Sequence, residues 1–380
     1  MKTTCVLLLT VGLLSLSCKK ANTDKMVFDD HIISISDYPV DIDMDKTILM
    51  PSGKDGFQYA YADILELRDN KLMVVFCRKK NMSDFSAGSE IVAIHSGDGG
   101  KTWTSPTLIQ ENIALINTSA PSLIKVSENH LMLFFSTLQS EAKMDLMYKE
   151  SFDTGNTWSS PLLYSQPNSG YYICNNGRVR MINGRIIAPV AHVFDNIFDN
   201  YDKQRVFTYF SDDLGKTWNI SDELKGNFAL MEPGVVSVDS DRYLMNIRTR
   251  RGKVLFARSN NNNGISWKLS QSEINSPASP QTIIHLNNSD TLIMVWNNTT
   301  KDPSKSHRNR TPLAIAVSND QGYTWKYLGN IENASNYDFS YPAMISNDKY
   351  IYCVYYERDH GTLKNYSLKM AKIKRASLKG

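Results

Sequence analysis

One short pattern, Ser-x-Asp-x-Gly-x-Thr-Trp, recurs along this 380-residue chain and constrains its fold more than any other feature. It reads Ser96-Gly-Asp98-Gly-Gly100-Lys-Thr102-Trp103, Ser151-Phe-Asp153-Thr-Gly155-Asn-Thr157-Trp158 and Ser211-Asp-Asp213-Leu-Gly215-Lys-Thr217-Trp218. A worn copy runs from Asn260 to Trp267, and the last is Ser318-Asn-Asp320-Gln-Gly322-Tyr-Thr324-Trp325. Such a box folds as a turn: Ser and Asp side chains take backbone amides, Gly supplies a positive φ, and Trp packs beneath. The copies recur at intervals of roughly 50 to 60 residues, the range of propeller blades and other repeat arrays.

A second repeat lies between the boxes. Six polar turns, at Arg68–Lys71, Ser127–His130, Asn183–Arg185, Asp239–Arg242, Asn287–Asp290 and Asn347–Lys349, each separate two apolar runs that read as a hairpin. A third strand precedes each box. Six hairpins against five boxes predict an all-β, six-bladed β-propeller with four-stranded blades over residues 31–375. The sixth blade, which lacks a box, would take its outer strand from the N-terminus at His31–Ser36, which closes the ring without free sheet edges.

The N-terminus reads as an export signal. Lys2 precedes an apolar stretch at residues 5–17, too short to span a bilayer. Its end, Ser15-Leu16-Ser17-Cys18, resembles a bacterial lipoprotein signal in which Cys18 becomes the lipidated first residue; an ordinary cleaved signal is the other reading. Residues 1–17 are then the signal, 18–30 a polar tether, and the membrane is met only through the lipid. This places the protein in the periplasm or at the outer membrane. Cys77, Cys174 and Cys353 cannot all pair with one another and read as buried thiols. No Cys/His spacing suits zinc. A net charge of +3, with no basic run interleaved with aromatics, argues against nucleic acid.

Strand direction sorts residues by face. Hairpin turns and boxes share one end, so the box aspartates are structural. The opposite end gathers Arg78, Asp84, Glu232, Arg248, Arg310 and Tyr341. His192, Asn176 and Trp296 are further candidates for contact with sugar hydroxyls or rings.

These segments resemble the sialidase (exo-α-neuraminidase) superfamily, whose hallmark is the box, called the Asp-box or BNR repeat. Glu232-Pro-Gly-Val-Val followed by Leu244-Met-Asn-Ile-Arg248 is similar to its Glu-to-Arg stretch. Arg78 with Asp84 is similar to its arginine and acid/base aspartate, and Tyr341-Pro to its nucleophile segment. The resemblance implies removal of a terminal acidic sugar from a glycan, without metal or cofactor. The substrate's anomeric carboxylate would repel an anionic nucleophile, so a tyrosine attacks. Carried over, Tyr341 is the nucleophile, Glu232 its base and Asp84 the acid/base. Arg248 and Arg310 bind the carboxylate, with Arg78 beside Asp84. The family's further arginine, in a Phe-Arg-Ile-Pro motif, is missing from Phe57-Gln-Tyr-Ala-Tyr-Ala-Asp63. This departure admits a related acidic or a neutral sugar. A propeller polysaccharide lyase using His192 or Tyr341, and a non-catalytic glycan-binding lipoprotein, are the competing readings.

Overall fold

The computed structural model describes residues 26–82, 84, 86–166, 170–259, 264–302, 309–361 and 365–378. The signal at 1–17, Cys18 and residues 260–263 of the worn box lie outside them.

Turn chemistry sets the hairpins. Asp69 and Asn70 are both left-handed (φ 58° and 59°), as are Asn183 and Gly184 (φ 51° and 81°), the backbone of a two-residue turn matched to strand twist. The strands so joined form five hydrogen-bonded sheets. Sheet 1 holds Gln58–Glu66, Leu72–Lys79, Ser89–Ser96 and Thr107–Gln110. Sheet 2 has nine strands in two meanders, one beginning at Asn117–Lys125 and the other ending at Asn219–Ile220. A single parallel pair, Tyr171 against Met144, links its halves. Sheet 3 begins at Met231–Ser237 and includes Tyr243–Arg248. Sheet 4 runs from Thr282–His285 to Thr324–Glu332, and sheet 5 holds Tyr337–Ser346, Tyr350–Asp359 and Ser367–Lys374. Where the hairpin count predicts six units, the hydrogen bonding therefore gives five sheets, because of the Tyr171–Met144 link.

The sheets pack face to face in chain order, with the core lying between them. Apolar clusters join sheet 1 to sheet 2 (Val75, Phe135), the halves of sheet 2 (Phe134, Tyr209), sheet 2 to sheet 3 (Ile187, Met245) and sheet 3 to sheet 4 (Phe256, Met294). Two more join sheet 4 to sheet 5 (Val295, Cys353) and sheet 5 back to sheet 1 (Val354, Phe76). The ring closes as a β-propeller. Box tryptophans Trp103, Trp158, Trp218, Trp267 and Trp325 each pack into one of these interfaces. The sheet 4–sheet 5 cluster, where a sixth box would pack its tryptophan, contains none among the described residues.

The four full boxes repeat one cage of hydrogen bonds. In the first, the Gly100 amide donates to Ser96 Oγ (2.8 Å), and the Thr102 amide and hydroxyl donate to the Asp98 carboxylate (2.9 and 2.7 Å). The copies at Asp153, Asp213 and Asp320 match it. Those bonds hold Asp153 and Asp213 down to about 2.

The N-terminal segment corrects one expectation. The strand that completes sheet 5 is Met44–Met50, paired antiparallel with Ser367–Lys374, and not His31–Ser36. Ser34–Asp37 instead adds a parallel strand to the edge of sheet 4. The reason is burial: Ile33 is fully buried against Val236 and Trp325. The end of the expected tether is also packed, with Phe28 bridging Leu269 and the Asp29 amide donating to the Leu269 carbonyl (2.8 Å). Cys77, Cys174 and Cys353 are buried and free, and burial pushes the first two thiols up to about 12.

Candidate functional site

At the end opposite the boxes, the innermost strands share an irregularity. Register slips between Ala60 and Asp63, Ser119 and Ser122, Met231 and Gly234, and Ser340 and Ala343. Each slip is a β-bulge, and one residue in each is left-handed: Tyr61 (φ 53°), Ala120 (56°), Glu232 (40°) and Tyr341 (56°). Proline follows at Pro121, Pro233 and Pro342, where the bulge needs no ladder N–H. Gly177, also left-handed at 62°, lies among them and donates its amide to the Pro121 carbonyl (3.1 Å). Left-handed non-glycine residues cost about 1–3 kcal/mol each and cluster at functional sites. Here they bring side chains from separate sheets to one place.

The Tyr341 hydroxyl donates to Glu232 Oε1 (2.9 Å), and Arg248 pairs with Glu232 Oε2. Arg310 lies over the Tyr341 ring, 5.2 Å from its centroid. Its Nη1 donates to Tyr356 Oη (2.7 Å) and Ser340 Oγ (3.1 Å), and its Nη2 to the Ala278 carbonyl (3.3 Å). All four members are buried. Burial pushes the Glu232 carboxyl up, but the charge and hydrogen bond of Arg248, with Arg310 and the Tyr341 hydroxyl, outweigh it and hold Glu232 below its usual range. Burial and the Glu232 charge raise Tyr341 above the usual phenol range. The pair is a neutral phenol donating to an ionised carboxylate.

The rest of the ring supports this pair. Tyr61, left-handed on its own bulge, meets Tyr341 edge to face at 4.8 Å. Asn176 Nδ2 donates to the carbonyls of Ala62 (2.7 Å) and Tyr341 (3.2 Å), so it fixes the bulge and not the sugar. A cleft of about 330 Å³ opens beside Glu232 and Tyr341, lined also by Tyr61, Lys79, Asn175 and Tyr171.

Other sequence-predicted residues stand apart from the pair. Asp84 is half-buried in its loop, accepting from the Ser86 hydroxyl (2.7 Å) and amide (2.9 Å). Those bonds, with the nearby Lys79 charge, keep it below the usual carboxylate range. Arg78 pairs with Glu90 (2.6 Å) and lies over the Phe57 ring, on the sheet face turned from the cleft. Trp296 is a core residue, fully buried with its indole donating to the Asn275 carbonyl (2.9 Å). His192 stacks on Tyr172 (4.3 Å) and is buried away from the cleft lining, so a base role beside the arginines is corrected.

Sequence reasoning overlooked Asp63 and Lys79. Asp63 is buried, accepts from the Leu123 amide (2.7 Å) and the Ile64 amide (2.9 Å), and is pushed by burial to about 6. It follows Tyr61 and Ala62 in the bulge, so the strand-start position was the available signal. Lys79 was legible from strand parity: it shares the face of Cys77 and Val75, both turned toward sheet 2.

The sequence pattern of the BNR repeat-like domain family matches residues 116–353. No curated protein matches the chain. Among solved structures, Trypanosoma rangeli sialidase in complex with sialic acid is similar, with 13% identity and a TM-score of 0.70 over 90% of this chain. The match spans 59% of that longer protein. The intramolecular trans-sialidase from Ruminococcus gnavus in complex with oseltamivir carboxylate matches at 14% identity and a TM-score of 0.67, over 85% of this chain and 95% of the other. A protein of unknown function from Dyadobacter fermentans matches at 16% identity and 0.68, over 86% and 99%. At these identities the likeness establishes the fold, a sialidase-type propeller.

Proposed function

The chain belongs to the BNR repeat-like domain family, and we propose that it is an exported glycoside hydrolase of the sialidase type. It removes a terminal sialic acid or related acidic sugar from glycans. We read the two halves of sheet 2 as separate blades, which gives six blades and, with the worn copy, five Asp-boxes over residues 31–375. The signal at 1–17 and lipidation at Cys18 would anchor it at the periplasmic side or outer membrane.

The observation that carries this reading is the 2.9 Å hydrogen bond from Tyr341 to a Glu232 held ionised by Arg248. In the first step Tyr341 Oη bonds the anomeric carbon, its proton passes to Glu232, and the bond to the leaving oxygen breaks. Glycan binding displaces the Ser86 hydrogen bonds that keep the Asp84 carboxylate ionised. Asp84 takes up a proton from solvent as the glycan buries it, and it passes that proton to the leaving oxygen. Water then attacks the anomeric carbon, gives its proton to Asp84, and releases Tyr341, which recovers its proton from Glu232. A raised phenol pKa suits this role, because the nucleophile stays neutral until it meets the substrate carboxylate. Arg248 and Arg310 supply positive charge beside the reacting carbon, and each keeps a buried Nε without a partner.

The test is hydrolysis of 4-methylumbelliferyl α-N-acetylneuraminic acid beside uronide and neutral-sugar analogues, with the α or β product followed by NMR. Release with retained configuration supports the reading. Release with inversion, or an unsaturated uronate product, overturns it.

A further inference from the structure

Both arginines of the Tyr341 cluster are engaged within the protein. Arg248 is ion-paired to Glu232, and both terminal nitrogens of Arg310 donate to Tyr356, Ser340 and Ala278. Neither lines the cleft. The blade-one stretch Phe57–Asp63 supplies no arginine, and its Tyr61 ring packs on Tyr341. An acidic sugar entering this cleft therefore needs a cation from elsewhere.

Lys79 is the cationic residue among those lining the cleft. It sits at the end of Leu72–Lys79, paired with Ser89. Strand alternation turns it away from Arg78 and Glu90 and into the space shared with Cys77 and Tyr341. It is buried, and its ammonium donates no hydrogen bond to any described residue. Asp84 acts on it electrostatically without a direct contact. The Lys79 ammonium opens on the cleft, and partial burial already disfavours its charge, lowering its pKa. A ligand anion would relieve that cost, and Asn175, whose buried Nδ2 has no partner, adds a donor in the same cleft.

Resting on the glycosidase reading of this cleft, we infer that Lys79 is the residue that reads the anionic group of the terminal sugar, a carboxylate or a sulfate ester, in place of the missing arginine. The role belongs to specificity: Lys79 holds the sugar's charge while Tyr341 and Glu232 carry the chemistry.

The test is calorimetric binding of four methyl glycosides, those of N-acetylneuraminic acid, glucuronic acid, 6-sulfo-N-acetylglucosamine and neutral N-acetylglucosamine. Each is measured with wild type, Lys79→Met and Lys79→Arg, and folding is checked by thermal unfolding. Lys79→Met should weaken the preferred acidic ligand at least tenfold, leave the neutral one unchanged, and be rescued in part by Lys79→Arg. The preferred ligand tells carboxylate from sulfate. If Lys79→Met does not fold, Lys79→Gln takes its place in the same comparison. Equal acidic affinity in wild type and variant, or no acidic preference in wild type, overturns the inference. Hydrolysis of neutral glycosides through Tyr341 would sink this inference and keep the hydrolase. Acid-selective binding that depends on Lys79 without any turnover would do the reverse.

Discussion

At the box end, Asp98, Asp153, Asp213 and Asp320 sit in the same cage, each accepting from a Ser hydroxyl and from a Thr amide and hydroxyl. At the other end, Tyr61, Ala120, Glu232 and Tyr341 sit on the same left-handed bulge, and their side chains differ in size, charge and reactivity. Both ends repeat a backbone device around the ring. One repeats the side chains as well, and each box aspartate there is satisfied by its own turn. The other varies the side chains and leaves buried atoms such as Arg248 Nε and Arg310 Nε without partners. Repetition of residues marks the scaffold. Variation on a repeated, strained backbone marks the site.

The largest expected effect separates the two ends by function. Tyr341→Phe and Glu232→Gln should each lower turnover by about 10²–10⁴-fold. Tyr341→Phe should leave thermal unfolding little changed, while Glu232→Gln, which strands the buried Arg248 charge, should also destabilise by about 3–5 kcal/mol. An equal loss from Asp213→Ala at the box end would erase the distinction.

The next concerns pH. Asp63 has a folded-state pKa of about 6, above its unfolded value near 3.8. The native state therefore binds the extra proton, and this contribution to stability is fully present below about pH 4 and lost as pH rises through 6. The difference amounts to about 3 kcal/mol. Urea unfolding between pH 4 and 7 should show stability falling with pH in wild type, a slope that Asp63→Asn removes. An unchanged slope would move its origin elsewhere. The box aspartates have the opposite sign: their depressed pKa values contribute stability above about pH 4 that is lost as pH falls toward 2.

A smaller effect tests the box. Gly215 has φ 87°, and a Cβ there would lie 3.3 Å from Met132 and Tyr148. Gly215→Ala should destabilise the fold by about 1–3 kcal/mol while leaving kcat unchanged for the protein that remains folded. Thermal unfolding and turnover at low temperature check both halves. The smallest effect is at Arg78. With its guanidinium held by Glu90 and Phe57 outside the cleft, Arg78→Ala should change kcat/KM less than about threefold, within the range of a surface ion pair. A loss of a hundredfold would put it back in the site.

How much of this was legible follows from how local each signal is. A box is complete within eight residues, so Asp98 or Asp213 declares its turn without help from the rest of the chain. The hairpins are equally local, as Asn183-Gly184 shows. Glu232, Arg248, Arg310 and Tyr341 come from three sheets; strand direction places them at one end, and their likeness to a known constellation gives them roles. What failed depended on which way a strand-end side chain turns. Arg78 and Lys79 are neighbours with opposite faces, and the more eye-catching one faces away from the cleft. Trp296 ends a strand near the site yet points into the core between sheets 3 and 4. Met44–Met50 takes the place expected of His31–Ser36 because both segments suit an outer edge, and the burial of Ile33 decides between them.

The most direct measurement is release of 4-methylumbelliferone from a panel of acidic glycosides by wild type and Tyr341→Phe side by side. Wild type should turn over at least one acidic glycoside and the variant should lose at least a hundredfold, with both proteins unfolding at the same temperature. Equal rates in the two proteins, or silence from wild type across the panel, would contradict it.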